Sequence, residues 1–338
     1  MASSGIRLLT NFADGDLVTE ILSSVTLRTV VFGRAELRAP WGLHVDLPGR
    51  AVFHIVLRGE CWLSFDGANP LQIGCGDTIL FPQAGAHDMN DHPSTPIRTL
   101  QDLLVTHPMT PDRRFRYGGG GPLTTMLCGA FQLDDPRLNL MGVLLPPLLH
   151  IRSRGSSAST QLRSLMRCIE SELKVSRPGE EAIVTRMAEA FLLRAIRDYV
   201  LASSNGDRGL SGILRDPAIA RVLGLIHQRP EHCWTVDELA NEANLSRSSF
   251  AVRFKTRVGV TPQSYLQRYR FNRAVRLLQT TDTKIQEIAR LVGYDSESSF
   301  SKAFKRLIGK RPGAYRQANQ LGDSVASRRI LVHGVSSS

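Results

Sequence analysis

The 338 residues are 42% hydrophobic and 22% charged, enough apolar material for two or three folded domains and too much for a disordered chain. The net charge of +11 is unevenly placed: residues 215–318 hold 19 basic and 9 acidic side chains while the rest is near neutral, a pattern that points to a polyanion, duplex DNA before an anionic membrane. Five scattered cysteines without a CxxC pair exclude a disulfide framework, and neither an export leader nor a spanning apolar run is visible, so the expected setting is the cytoplasm with no membrane partner.

From about residue 17 to 150, short apolar runs punctuated by Gly, Pro and Asp predict consecutive β-strands, as at 52–57, 61–65 and 77–81. The glycine run 118–121 predicts a mobile loop. A Ser-rich junction at 153–159 precedes two helical patterns. Leu162, Leu165, Met166, Ile169 and Leu173 form one apolar stripe, which also carries Cys168 and places it in the core. Ile183, Met187, Ala190, Phe191, Leu193 and Ala195 form a looser second stripe. Residues 205–209 read as a linker, 216–317 as helical throughout, and the polar tail as disordered. The expected architecture is an all-β barrel at 1–152, a helical linker or dimerisation region at 158–204, an all-α domain at 215–318 and a tail at 319–338.

The basic segment contains a repeat. Phe250, Phe254, Gly259, Pro262 and Tyr265 recur fifty positions later as Phe300, Phe304, Gly309, Pro312 and Tyr315, whereas Ala240 recurs as Ala289, so one residue is inserted in the intervening turn. Each copy meets the needs of a helix-turn-helix. A small residue (Ala240, Ala289) lets two helices cross closely, and Asn244 or Gly293 tolerates the left-handed turn. Ser246 or Ser296 caps the second helix, and the phenylalanine pair pins it to the core. The opposite face of that helix then presents Arg247, Ser248, Ala251, Val252 and Lys255 in the first copy. In the second it presents Glu297, Ser298, Ser301, Lys302 and Lys305. Such side chains suit phosphates and base edges in a major groove, with Ala251 and Val252 matched to thymine methyls. Thr261-Pro262 opens a connecting helix running to about Thr280, which would set the two reading helices about one DNA turn, ~34 Å, apart.

Residues 215–318 resemble the DNA-binding domain of the AraC/XylS family of transcription regulators, most closely through the second copy, from Ile288-Ala-Arg-Leu-Val-Gly-Tyr to Gly309-Lys-Arg-Pro-Gly-Ala-Tyr-Arg316. The resemblance implies promoter DNA and RNA polymerase as partners and an activating role; a homodimer is expected because two linked readers raise affinity for palindromic or direct-repeat sites. The β-rich part resembles the cupin-like sensor barrel that precedes this domain in some members, through residues 53–60, 76–82 with Gly85 and His87, Cys128-Gly129 and 144–150. It implies control by a small-molecule effector, a metal ion or a redox signal.

His54, His87 and Cys128 lie on three separate strand-like segments and would suit Zn²⁺ or a similar ion if the barrel gathered them. Against this, Val56 stands where metal-binding cupins carry a second His, leaving His54 and Glu60; the alternative is two hydrogen-bonded core histidines and a buried thiol. A cupin-type metalloenzyme with a DNA-binding appendage is the competing function, and it lacks a complete ligand set or any catalytic triad. Trp41 and His44 suit either a ligand pocket or loop packing, and Cys61 and Cys75 flank an expected hairpin.

Overall fold

The computed structural model describes residue 19 and residues 28–83, 85–132, 138, 140–153, 158–173, 177–202 and 208–318. The chain divides into two compact units. The first takes the described residues of 28–132 and 145–202; the second takes those of 138–144 and 208–318.

The first unit is built on eleven strands: β1 (Arg28–Arg38), β2 (Gly42–Val45), β3 (Arg50–Arg58), β4 (Cys61–Phe65), β5 (Leu71–Ile73), β6 (Thr78–Phe81), β7 (His87–Asn90), β8 (Arg98–Thr99), β9 (Arg114–Gly118), β10 (Leu123–Gln132) and β11 (Leu149–Ile151). They form a six-stranded sheet ordered β11-β6-β3-β10-β1-β9 and a five-stranded sheet ordered β5-β4-β7-β2-β8. Period-two alternation fills the space between them. Val52 and Val56 of β3, Met126 and Ala130 of β10 and Ile79 and Phe81 of β6 meet Leu43, Val45, Cys61, Leu63 and Met89 from the other sheet.

Helix α1 (Leu100–Thr106), capped by the Thr99 side chain, follows β8. The glycine run expected to be mobile is instead clasped to the end of β1. Gly119 and Gly121 donate backbone hydrogen bonds of 2.8 and 2.9 Å to the carbonyls of Arg38 and Ala39. Gly118 has φ +110°, and a Cβ there would lie 1.9 Å from the Arg38 carbonyl oxygen, so glycine is required by backbone approach rather than by motion.

After β10 the chain contributes Leu138 and helix α2 (Leu140–Leu144) to the second unit, then returns for β11. Helices α3 (Ala158–Glu172) and α4 (Glu180–Ala202) complete the first unit and pack on each other. On α3, Leu162 and Ile169, with Leu173 just beyond, are buried as expected, but Cys168 is exposed. On α4 the buried residues are Val184, Ala188, Phe191, Leu192, Ala195, Ile196 and Val200; Phe191 and Ala195 are inside as expected, whereas Ile183 and Ala190 face outward and Val184 and Ala188 take the inner positions in the first half of the helix.

The second unit continues with α5 (Gly209–Leu214), α6 (Pro217–Gln228), α7 (Val236–Glu242), α8 (Arg247–Val258), α9 (Pro262–Thr280), α10 (Ile285–Leu291) and α11 (Glu297–Ile308). The expected linker falls partly outside the described residues, and Gly209 already belongs to α5. The expected tail at 319–338 lies outside them as well.

Local chemistry sets each boundary. Thr235 and Glu238 form a capping box on α7; Ser246, Thr261 and Ser296 accept the N–H of Ser249, Ser264 and Ser299 to open α8, α9 and α11. Both turns use one closure: Asn244 (φ +55°) and Gly293 (φ +78°) reverse the chain, and the next residue's N–H returns to the Ala240 or Ala289 carbonyl at 3.0 and 2.9 Å.

The connecting helix α9 buries Tyr265 and Leu266 toward the first copy and Phe271, Ala274, Val275 and Leu278 toward the second. Leu138 joins this second core, and its carbonyl accepts from Asn272 Nδ2 at 3.4 Å. Arg270 on α9 donates to the carbonyls of Pro230 (2.7 Å) and His232 (2.8 Å), and its guanidinium lies where a Cβ on Gly293 would project. One side chain thus braces the lead-in to the first helix-turn-helix against the turn of the second.

Candidate nucleic-acid interface

In both copies the second helix is fixed from inside and bare outside. Phe250, Phe254 and Val258 of α8 and Phe300 and Phe304 of α11 are fully buried. The phenylalanine rings within each pair lie 5.6 and 5.5 Å apart, edge-on or tilted. With those faces taken, Arg247, Ser248, Val252 and Lys255 are exposed on α8, and Glu297, Ser298, Lys302 and Lys305 on α11; Ala251 and Ser301 are half-buried beside them.

Val252 is 68% exposed. It lines an open groove with Val236, Ala251, Arg247, Pro262 and Gln263. Arg247 Nη1 pairs with Asp237 Oδ2 at 3.0 Å on the adjoining helix, both exposed, so the pair aims the guanidinium more than it stabilises the fold. Lys255, Lys302 and Lys305 make no ion pair among the described residues. Asp237, which pairs with Arg247, and Gln263, which lines the groove, come from two other helices, so neither is visible in the residue pattern of α8; only the Pro262 helix start hinted at the second.

The barrel holds a different candidate. His54 from β3 and His87 from β7 meet across the two sheets, Nε2 to Nε2 at 2.8 Å, with residue exposures of 4% and 2%. His87 Nδ1 lies 2.7 Å from the Gly85 carbonyl, which can only accept. A neutral His87 therefore offers a lone pair at Nε2, His54 Nε2–H donates to it, and His54 Nδ1 is left as a buried acceptor with no partner among the described residues. Phe81 stacks on His87 at 4.2 Å. Cys128 pairs with His54 in the β10–β3 register, yet no three His, Cys, Asp or Glu side chains among the described residues form a metal's ligand group. The expected His54, His87 and Cys128 set is not gathered into a three-donor group among the described residues: the imidazoles take each other as partners at Nε2, and burial pushes the Cys128 thiol up to about 12. Trp41 is core, and His44 Nδ1 pairs with Asp88 at 2.7 Å.

Burial, with His87 as a lesser cause, lowers the His54 pKa well below the usual imidazole value, and burial brings His87 down to about 4. Unfolded imidazoles take up protons near pH 6.5, so between about pH 6.5 and 4 the unfolded chain binds more protons, and the barrel loses stability as pH falls through that window. His87 alone is worth on the order of 3 kcal/mol there. In a Trp234→Phe background, urea unfolding followed by the barrel tryptophans should have a lower midpoint at pH 5 than at pH 7. The His54→Gln/His87→Gln variant should lack that slope. A wild-type midpoint equal at the two pH values would contradict a neutral buried pair.

Two helix-turn-helix units in one basic body, attached to a β-barrel, define a DNA-binding regulator with a separate N-terminal domain. Residues 16–201 match the family model described as Cupin, and residues 239–318 the one described as Helix-turn-helix domain. Over 304 residues the chain is 30% identical to an AraC-like transcription regulator of Streptomyces lividans, covering 89% of this chain and 98% of that one. It is 28% identical over 308 residues to the HTH-type transcriptional regulator AlkR of Acinetobacter baylyi, covering 89% and 99%. Among solved structures, the DNA-binding domain of AdpA, crystallised with a target DNA, aligns at 32% identity over 32% of this chain and 98% of its own, with a TM-score of 0.31. The chain belongs to the AraC family of transcription regulators, with a cupin domain ahead of its helix-turn-helix domain. No helix among the described residues is long and apolar enough to cross a membrane.

Proposed function

We propose that this regulator places α8 and α11 in successive major grooves on one face of a promoter, and that its barrel sets that activity in answer to a small-molecule signal. The observation that carries the first part is the paired bare faces of two helices braced by one connecting helix and by Arg270. In this reading Arg247 addresses a guanine, Ser248, Ser298 and Ser301 address base edges, Ala251 and Val252 lie on thymine methyls, Glu297 accepts from cytosine, and Lys255, Lys302 and Lys305 hold phosphates.

The buried acceptor at His54 Nδ1 supports an effector that brings a hydrogen-bond donor into the barrel rather than a metal ion. It is also the reason to favour a binding role over cupin enzymology, for which the donor set does not fit. The outward Ile183 and Leu201 on α4 support a homodimer formed through this helix, and the family resemblance supports activation through contact with RNA polymerase. The test is selection of duplexes from a random-sequence pool by the full chain. Enrichment of a defined sequence whose binding weakens steeply with salt is the result expected, and binding without sequence preference would overturn the reading.

A further inference from the structure

We infer that Asp216 is a positioning residue for DNA recognition: its carboxylate fixes the roll of α8 about its own axis and so decides which side chains of that helix meet base edges. The inference rests on the assignment of α8 as a reading helix. Asp216 stands in the corner between α5 and α6, its side chain 1% exposed. Its Oδ1 accepts the Ile219 N–H at 3.3 Å, capping α6, so the carboxylate is held by backbone. It then accepts a two-pronged bond from Arg253 of α8, Nε to Oδ2 at 2.7 Å and Nη2 to Oδ1 at 2.9 Å, and a third from Arg257 Nε at 3.4 Å. Burial alone would raise the Asp216 pKa, but the Arg253 hydrogen bonds, the Ile219 N–H and both guanidinium charges outweigh it and lower it from the usual carboxylate value.

Arg253 and Arg257 are one helical turn apart on the flank of α8, beside the buried Phe250 and Phe254. Apolar packing of those rings is non-directional and tolerates small rotations, whereas a guanidinium–carboxylate fork does not. A roll of about 20° would move a side-chain tip about 6 Å from the helix axis by about 2 Å. That exceeds what a hydrogen bond to a base edge accepts.

The repeat supplies an internal comparison. Fifty residues on, the positions of Arg253 and Arg257 are occupied by Ala303 and Leu307, which pack on the apolar core of the second copy. The first reading helix is therefore keyed by charge from a corner outside its own helix-turn-helix, whereas at the matching positions of the second the described contacts are apolar packing. The role is specific to α8, which separates it from a general contribution to stability.

The experiment uses the full chain with a duplex it selects from a random pool, and with versions of that duplex altered in either half. The half read by α8 is the one whose footprint Arg247→Ala loses. Asp216→Asn keeps the volume and the capping oxygen but removes the charge. Arg253→Lys keeps the charge but removes the fork. Each is expected to bind the selected duplex at least about tenfold more weakly and to lose its preference for the α8 half, while preference for the α11 half stays at the wild-type value. Retention of wild-type preference in both halves would overturn the inference. So would an equal loss in both halves that follows the loss of melting temperature. Wild-type protein showing no preference in the α8 half would instead remove the reading-helix assignment on which the inference stands.

Discussion

Phe254→Ala is expected to destabilise the DNA-binding unit by roughly 3–5 kcal/mol. The ring has no exposed surface, lies 5.6 Å from Phe250 and 6.0 Å from Tyr265, and joins the inner face of α8 to the connecting helix. Truncation leaves a cavity between two helices that cannot both collapse into it, because α9 is also committed to the second core through Phe271 and Val275. For a unit of about 100 residues the loss corresponds to a fall in melting temperature of at least ~12 °C. A melt within about 4 °C of wild type would show that the inner face of α8 is not the one described.

The second large effect concerns charge rather than packing. Lys302 and Lys305 are exposed, three residues apart on α11, and without an ion pair among the described residues, so they are free to meet phosphates. Replacing both with Ala is expected to lower the slope of log affinity against log salt by about 1.8 and to cost about ten- to a hundredfold in affinity at low salt. The change should be the same on selected and unrelated duplexes, because a phosphate carries no sequence. An unchanged slope would remove both lysines from the interface.

Much of this second unit was legible in the sequence, because its determinants are local. The turn residues Asn244 and Gly293, the caps Ser246, Thr261 and Ser296 and the phenylalanine pairs each act within a few positions, and the fifty-residue repeat let each copy check the other. The strand texture of the barrel was equally local. What escaped depends on partners far along the chain. Residues 118–121 read as loose until the Arg38 backbone is seen beside Gly118. On α4, apolar residues occur on adjacent faces, so packing against other elements, α3 and β11 among them, decides that Val184 rather than Ile183 lies inside. The Asp216–Arg253 fork spans 37 residues, and the passage of residues 138–144 into the second unit has no signature in residue spacing. For the barrel site, the sequence left two readings open: two imidazoles and a thiol around a metal, or two hydrogen-bonded core histidines beside a buried thiol. The register brings His54 and His87 close enough to satisfy each other, an outcome that composition cannot distinguish from ligation.

The most direct test of the central claim is a footprint of the full chain on its selected duplex, with a Glu297→Ala/Lys302→Ala variant beside it. Two protected major-groove patches about one DNA turn apart on the same face, with only the α11 patch lost in the variant, are the result expected. A single patch, or protection that follows the backbone with no preferred sequence, would contradict a regulator that reads DNA with two helices.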